Sequence, residues 1–317
     1  MTAPTRADPF VHPALLYADR AEYLAGTVPF IRAGLAAGEP VMVAVPGRNL
    51  ELIRDALGAD AARVALHDMS VAGRNPGRII PAVLLAFAAQ YPDAPVRIIG
   101  EPIWAGRSAA EYPACAQHEA LINAAFTGRR ATILCPYDTG RLNETWLADA
   151  YRTHPVLWTA TARWDSPYYA DPIQIAGTFG EPLPDPPGYA ATIVVHHTGL
   201  AGIRRFIEAA ARAAGLPAAR VTGATIAVNE LAANTLAHTG GTGTLAVWTQ
   251  DDELPCQLTD TGHIRDALAG RIPVPPDQPT GGRGLVLVNQ LCDLVRMHTR
   301  PGHTTIRLHF GRGVLAG

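Results

Sequence analysis

The sequence predicts an open, mainly parallel α/β sheet in its first part and an α+β sandwich in its second part. Three observations carry this prediction: short apolar segments alternate with helical segments up to about residue 180, helices and strands are segregated after about residue 190, and a proline-rich segment separates the two patterns. Strands that are apolar throughout are buried on both faces, as in a parallel sheet covered by helices. Segregated helices and strands are typical of an α+β layer architecture.

The first part alternates predicted helices with predicted strands. Each strand is a short apolar run, and each helix has the length and periodicity of a crossover connection. The helices are predicted at residues 20–37, 49–57, 78–91 and 110–126, and the strands at VMVAVP (41–46), RVALHDM (63–69), VRIIGEP (96–102) and ATILCPYD (131–138).

Residues 181–188, EPLPDPPG, are the predicted linker because four prolines in eight residues exclude a helix or a central strand. We therefore expect domains at residues 10–180 and 189–312. In the second domain, Asp251-Asp252 marks the tip of a predicted hairpin. The helices are predicted at residues 200–214, 217–238 and 284–292, and the strands at 191–198, 243–250, 254–260, 293–299 and 303–310.

Composition excludes several classes of protein. Of the 317 residues, 48% are apolar and 17% are charged, which excludes a disordered chain. The net charge of −2 provides no attraction to nucleic acid or to an anionic membrane, so we expect neither as a partner. All 26 cationic residues are arginines, which excludes a P-loop lysine. The polar N-terminus, the absence of a long apolar run and the unpaired spacing of the four cysteines predict a cytoplasmic protein.

Three motifs in the second part carry polar or glycine residues at functional spacing. Glu230, Asn234 and His238 are four residues apart, so they share one face of a predicted helix. The alternative for this stripe is an ordinary solvated helix face. Asp260-Thr261-Gly262 ends a predicted strand, where a carboxylate can accept from an exocyclic amine and glycine lets the backbone approach a flat base. Residues 281–284, GGRG, lead into a helix whose free N–H groups can bind an anion.

In this order and spacing, the motifs resemble the Bergerat-fold (GHKL) ATP-binding domain over residues 190–312. The compact size and the asparagine-box pattern are most similar to bacterial anti-sigma-factor serine kinases. The residues that carry the resemblance are the asparagine box NELAANTLAH (229–238), the first glycine box Asp260-x-Gly262, the second glycine box Gly282-x-Gly284-Leu285 and the closing strand GHTTIRLHF (302–310).

The resemblance implies ATP bound with Mg²⁺ and phosphorylation of a Ser or Thr on an anti-anti-sigma partner, together with sequestration of a sigma factor and a homodimer. Asn234 would be the Mg²⁺ ligand, Glu230 would accept the proton of the attacking hydroxyl, and Asp260 would recognise adenine. Arg283 either adds charge near the phosphates or is solvated. The further cofactor-binding residues are His238, Gly262, Gly282, Gly284, Leu285 and Thr305, with Thr304 as the alternative to Thr305, and residues 263–281 would form a lid.

Two departures from the family pattern leave a second function open. Ile264 stands where the first glycine box often has another glycine, and the lid is short and rich in proline. The alternative function is a non-catalytic binding module, with or without nucleotide, that controls a partner by sequestration. The absence of a phosphoacceptor-histidine hairpin before this domain argues against a sensor histidine kinase.

The first part resembles the MEDS sensory domain over about residues 10–165. This resemblance implies that the domain senses a signal, which we expect to be a small molecule of unknown identity. The residues that carry it are HPALLYADRAEYLAGTVPFIRAGLAAGEPVMVAVP (12–46), GEPIW (100–104), QHEALIN (117–123) and CPYDTGRL (135–142).

Ligands of open parallel sheets bind beyond the carboxyl ends of the strands. The sequence therefore predicts one sensory pocket at this rim. For Glu101 and Asp138, the alternative is that they only cap the helices that follow. His298, His303 and His309 lack the spacing of metal ligands, so we expect no transition-metal site, and Cys135 is expected in the core. The predicted pocket residues are Glu101, Trp104, Tyr137 and Asp138, with His118 and Glu119 reaching in from a helix.

Overall fold

The computed structural model describes residues 9–196, 199–240, 242–274 and 282–312. Contacts divide the chain into two units, one comprising Met1–Gly73 and Ala82–Gly177, the other comprising Arg74–Pro81 and Thr178–Gly317. The domain limits 10–180 and 189–312 stay a prediction. Within the described part of the chain, each helix is too short or too polar to cross a membrane.

Among the described residues, the N-terminal sheet has seven strands in the order β3-β2-β4-β5-β1-β6-β7. All neighbours are parallel except β7, which is antiparallel to β6. The strands are β1 (Pro13–Tyr17), β2 (Val41–Val45), β3 (Ala65–Asp68), β4 (Val96–Gly100), β5 (Ala131–Asp138), β6 (Val156–Trp158) and β7 (Arg163–Asp165).

Helices connect these strands or, in the case of α8, follow the last of them, and a 3₁₀ turn at Gly58–Arg63 precedes β3. A π-helical segment, Ile80–Leu84, interrupts the helix predicted at residues 78–91. The helices are α1 (Arg20–Ala36), α2 (Gly47–Leu57), α3 (Met69–Ala72), α4 (Pro76–Ile79), α5 (Leu85–Ala88), α6 (Tyr112–Ala125), α7 (Glu144–Thr153) and α8 (Pro172–Thr178).

The mainly parallel α/β class is confirmed for this part of the chain. The strands predicted at 41–46, 63–69, 96–102 and 131–138 correspond to β2, β3, β4 and β5. Every residue of β2 is buried, which is the physical reason why its sequence is apolar on both faces. The strand β1, which lies between β5 and β6 in the sheet, does not appear among the predicted strands.

In the part of the chain that the structure describes, the C-terminal sheet has five antiparallel strands in the order β11-β12-β10-β9-β8. Three helices contribute to a core on one face of it, which confirms the α+β sandwich. Residues 197 and 198 of the first predicted strand lie outside the described residues. The elements are β8 (Ala191–Val195), α9 (Leu200–Ala213), α10 (Ala218–His238), β9 (Gly243–Val247), β10 (Glu253–Asp260), α11 (Arg283–Leu291), β11 (Leu294–Arg300) and β12 (His303–Gly311).

Alternation along β10 determines which side chains face the helices. Leu254, Cys256 and Leu258 are buried in the core beneath the helices, so Asp260, two residues further on, projects to the same side at the end of the strand. The opposite face of this sheet contacts the proline-rich segment, because Arg307 donates to the carbonyl of Pro184. Residues 181–187 form neither helix nor strand.

Candidate functional site

The C-terminal half of α10 brings two predicted site residues next to the start of α11. Glu230 and Asn234 are half-buried and one helical turn apart. A methyl group placed on Gly284 would lie 2.9 Å from Oε2 of Glu230 and 3.5 Å from Nδ2 of Asn234. The backbone of the second glycine box therefore passes directly beside both side chains, and a side chain at position 284 would occupy this space.

Asp260 is joined to the same helix by a hydrogen bond. The Thr235 hydroxyl donates to Oδ2 of Asp260 at 2.6 Å, and the Gly262 amide donates to Oδ1 at 2.8 Å. These bonds fix the carboxylate at the end of β10. Because each carboxylate oxygen has two acceptor positions, Asp260 keeps capacity to accept from a ligand. Thr235 follows Asn234 directly, so the asparagine box and the first glycine box meet here.

The start of α11 has the features of an anion-binding helix terminus. Gly282 caps the helix with a φ of +85°, a left-handed conformation that favours glycine. The first N–H groups of a helix have no partner within it and attract negative charge. Leu285 packs against Gly270, which holds this terminus against the segment that follows β10. Arg283 is exposed, and residues 275–281 of the predicted lid lie outside the described residues.

The register of β12 distinguishes Thr304 from Thr305. Thr305 pairs with Thr259, and their hydroxyl oxygens are 3.2 Å apart. Asp260 pairs with Thr304, so Thr304 and Asp260 lie on the helix-covered face, whereas Thr305 points to the other face. Thr304, the alternative residue, is therefore the threonine on the same side as Asp260.

The predicted residue His238 and the departure from the family pattern at Ile264 lie at the border of this region. His238 is exposed at the last residue of α10. Ile264 packs against the core, and its amide donates to Oγ1 of Thr299 at 2.9 Å. A cavity of about 310 Å³ adjoins Asp260, but its lining includes neither Glu230 nor Asn234. The structure thus brings Glu230, Asn234 and Gly284 together, and it links them to Asp260 through Thr235 rather than through this cavity.

In the N-terminal unit, Glu101 lies in a buried polar group. Both its carboxylate oxygens accept from Nδ2 of Asn49 at 2.9 Å, and one of them also accepts from the Tyr23 hydroxyl at 3.2 Å. Burial raises the pKa of Glu101 to about 8, and the nearby carboxylate of Asp138 adds to the increase while these hydrogen bonds oppose it. Glu101 is therefore mostly protonated at neutral pH.

Glu119 lies in a different buried group. Its Oε2 is 3.3 Å from Nε2 of His12 and 3.2 Å from Nε2 of His154. Nε2 of His12 is also 3.3 Å from Sγ of Cys135. We call His12, Glu119, Cys135 and His154 the Glu119 cluster.

The structure does not bring the predicted sensory residues into one pocket. Tyr17 of β1 pairs with Asp138 and points to the face where Glu101 lies, whereas Tyr137 and Cys135 point to the other face. Asp138 accepts from the Gly140 amide at 3.0 Å within a turn, whereas Asn143 caps the helix that follows, so Asp138 does not cap α7 as the alternative expected. The guanidinium carbon of Arg107 lies 4.0 Å from the centre of the Trp104 ring, which packs against it. His118 is buried on α6. Five partners of the two groups were not predicted from the sequence: Tyr17, Tyr23, Asn49, His12 and His154.

Comparisons with known proteins agree with both resemblances. Residues 11–155 match the family model of the MEDS domain, described as the MEthanogen/methylotroph, DcmR Sensory domain. Residues 196–310 match the model of the histidine kinase-like ATPase domain. No curated protein matches the chain.

Among solved structures, the RsbU and RsbW domains of Rv1364c from Mycobacterium tuberculosis match with 16% identity and a TM-score of 0.30. The match covers 40% of this chain and 33% of that chain, so this chain spans about a third of that protein's length. From the two family models, the chain combines an N-terminal MEDS domain with a C-terminal domain of the histidine kinase-like ATPase type.

Proposed function

We propose that the C-terminal domain binds ATP with Mg²⁺ and phosphorylates a Ser or Thr of an anti-anti-sigma protein, under control of a small-molecule signal at the MEDS domain. The observation that carries the proposal is the approach of Gly284, at the start of α11, to Glu230 and Asn234. Glycine keeps the space between the two helices open at this point, where a phosphate group would approach both the helix N-terminus and the polar side chains of α10.

The residues present fit Mg-ATP. The amide oxygen of Asn234 is a hard ligand of the kind that Mg²⁺ takes beside phosphate oxygens and water. The N–H groups of the first turn of α11 would bind phosphate oxygens, and Asp260 would accept from the exocyclic amine of adenine. When bound, Mg²⁺ would neutralise charge on the phosphates. Glu230, next to the helix terminus, would orient the attacking hydroxyl and accept its proton.

The domain type supports a second consequence of binding. An anti-sigma-type kinase can hold a sigma factor and release it when the antagonist is available. In this proposal, phosphorylation inactivates the antagonist, so the sigma factor stays sequestered. The non-catalytic alternative predicts the same sequestration without phosphate transfer, which makes transfer the property that separates the two functions.

We expect Mg-ATP to raise the melting temperature of the full-length protein. A ligand that binds only the folded state at about 100 times its Kd stabilises it by about 2.7 kcal/mol. Differential scanning fluorimetry with and without Mg-ATP measures the shift, and γ-labelled ATP with candidate antagonists measures transfer. A shift without transfer to any antagonist would favour the binding module. Absence of a shift at saturating Mg-ATP would contradict nucleotide binding.

The register of β12 gives a second prediction. Thr304→Val should weaken ATP binding about 2- to 10-fold, because one hydrogen bond at the nucleotide is worth about 0.5–1.5 kcal/mol. The matched control is Thr305→Val, the adjacent residue on the opposite face, which should change the Kd by less than about 2-fold. Isothermal titration calorimetry with a non-hydrolysable ATP analogue measures both constants. If Thr305→Val lost more ATP affinity than Thr304→Val, the nucleotide would lie on the sheet face opposite the helices, which contradicts our proposal.

A further inference from the structure

The Glu119 cluster brings four side chains that can bind a metal together at one buried position. His12 and His154 are fully buried, Cys135 is fully buried, and Glu119 is buried as well. One ligand atom from each residue lies within 4.8 Å of all the others. These residues come from the segment before β1, from α6, from β5 and from the end of α7, so four separate elements converge on the cluster.

Hydrogen bonds orient both imidazoles toward the cluster. The side-chain nitrogen of Asn123 donates to the carbonyl of Thr153 at 2.8 Å, which leaves its oxygen to accept from Nδ1 of His12 at 3.1 Å. Nδ1 of His154 donates to the carbonyl of Ala150 at 2.9 Å. Because Nδ1 carries the proton in each ring, each neutral ring turns the lone pair of Nε2 toward Glu119.

In this arrangement, the carboxylate oxygens of Glu119 and the Nε2 atoms that face them are all hydrogen-bond acceptors. Both carboxylate oxygens of Glu119 and Nε2 of His154 have no hydrogen-bond partner among the described residues, although they lie 3.2 Å apart at their closest. A buried carboxylate that faces two imidazole lone pairs needs a positive charge between them, because unpaired buried polar groups are costly. A metal cation supplies this charge and satisfies all three groups at once.

Three of the six separations between the ligand atoms are close to those in a tetrahedral metal site. Zinc binds nitrogen, oxygen and thiolate ligands at about 2.0–2.3 Å, so a regular tetrahedron separates its ligand atoms by roughly 3.3–3.8 Å. Oε2 of Glu119 lies 3.2 Å from Nε2 of His154 and 3.3 Å from Nε2 of His12, Nε2 of His12 lies 3.3 Å from Sγ of Cys135, and all the ligand atoms are within 4.8 Å of one another. The mixture of soft thiolate, imidazole and carboxylate favours zinc over Mg²⁺ or Ca²⁺.

We propose that His12 Nε2, His154 Nε2, Glu119 and the Cys135 thiolate bind one Zn²⁺ ion inside the MEDS domain. Four protein ligands and full burial correspond to a closed, structural type of zinc site, in which no position is left for a substrate. Binding releases the thiol proton of Cys135. The ion would link α6 and the end of α7 to the central strands, so its loss should lower the stability of this domain.

Zinc reconstitution of the full-length protein tests the proposal. After removal of metal with a chelator and reconstitution with Zn²⁺ alone, elemental analysis should find one zinc ion per chain. Cys135→Ala and Glu119→Gln should lose it, whereas the matched control Cys115→Ala, another buried cysteine of this domain, should retain it. Asn123→Ala, which removes the group that orients His12, should weaken zinc affinity about 10- to 100-fold.

Cobalt substitution keeps the test independent of whether the variants fold. With Co²⁺ in place of zinc, the unmutated chain should show a thiolate-to-cobalt charge-transfer band and the intense visible bands of four-coordinate cobalt. No bound zinc or no charge-transfer band in the unmutated protein would overturn the proposal. Stoichiometric zinc that folded Cys135→Ala and Glu119→Gln bind with wild-type affinity would overturn it as well.

Discussion

Glu230→Gln is expected to bind Mg-ATP with wild-type affinity and to transfer phosphate about 10²- to 10⁴-fold more slowly, which is the usual contribution of a general base. The variant keeps the size of the side chain beside Gly284 but removes the charge that accepts the proton. Asn234 remains available for Mg²⁺, so binding and transfer should separate. Single-turnover transfer from labelled ATP to the antagonist measures the rate, and calorimetry measures affinity.

Asn229→Ala is the matched control for this prediction. Asn229 precedes Glu230 on α10, but its side chain accepts a hydrogen bond from Arg204 at 3.0 Å and so points toward α9. We expect transfer by this variant to stay within about 2-fold of the wild type, since exposed substitutions away from a site have small effects. Equal transfer rates in Glu230→Gln and the wild type would remove Glu230 from the catalytic role that we propose.

Local sequence patterns were sufficient to predict most of the fold. Each predicted strand in the C-terminal domain overlaps an observed one. Strands that pack against a helical layer either alternate apolar and polar residues or are apolar throughout, and both patterns can be recognised in a sequence. β1 was missed because Pro13–Tyr17 is five residues long and directly precedes the α1 pattern. Its central place in the sheet depends on pairing with β5, more than 100 residues away, and no local pattern encodes that pairing.

Long-range register also explains the differences at the sites. Thr304 and Thr305 are adjacent and chemically identical, so only the pairing of β12 with β10 tells which one faces Asp260. Glu101 and Tyr137 both lie at strand ends that meet at one rim. Tyr137 precedes Asp138 by one residue, so its side chain points to the face opposite the one where Asp138 and Glu101 lie. The Glu119 cluster assembles from four distant segments, which is why its histidines show no ligand spacing.

Glu101→Gln is expected to remove a component of the pH dependence of stability in the N-terminal unit. The pKa of Glu101 is raised from 4.5 to about 8 in the folded chain, mainly by burial. The folded state therefore binds more protons than the unfolded state between these values, and the free energy of unfolding falls as the pH rises through this interval. Glutamine stays neutral and keeps an oxygen that accepts from Asn49, so the variant should not show this fall.

The difference should reach a few kcal/mol at about pH 8 and above, because each pKa unit corresponds to about 1.4 kcal/mol. Urea unfolding followed by tryptophan fluorescence suits this unit, since four of the five tryptophans lie between residues 104 and 164. Glu51→Gln, at an exposed position on α2 close to Asn49, is the control and should follow the wild-type profile. If Glu101→Gln lost stability with pH as steeply as the wild type from about pH 5 to about pH 8, Glu101 would be ionised in the folded protein, and the buried neutral carboxyl described above would be wrong.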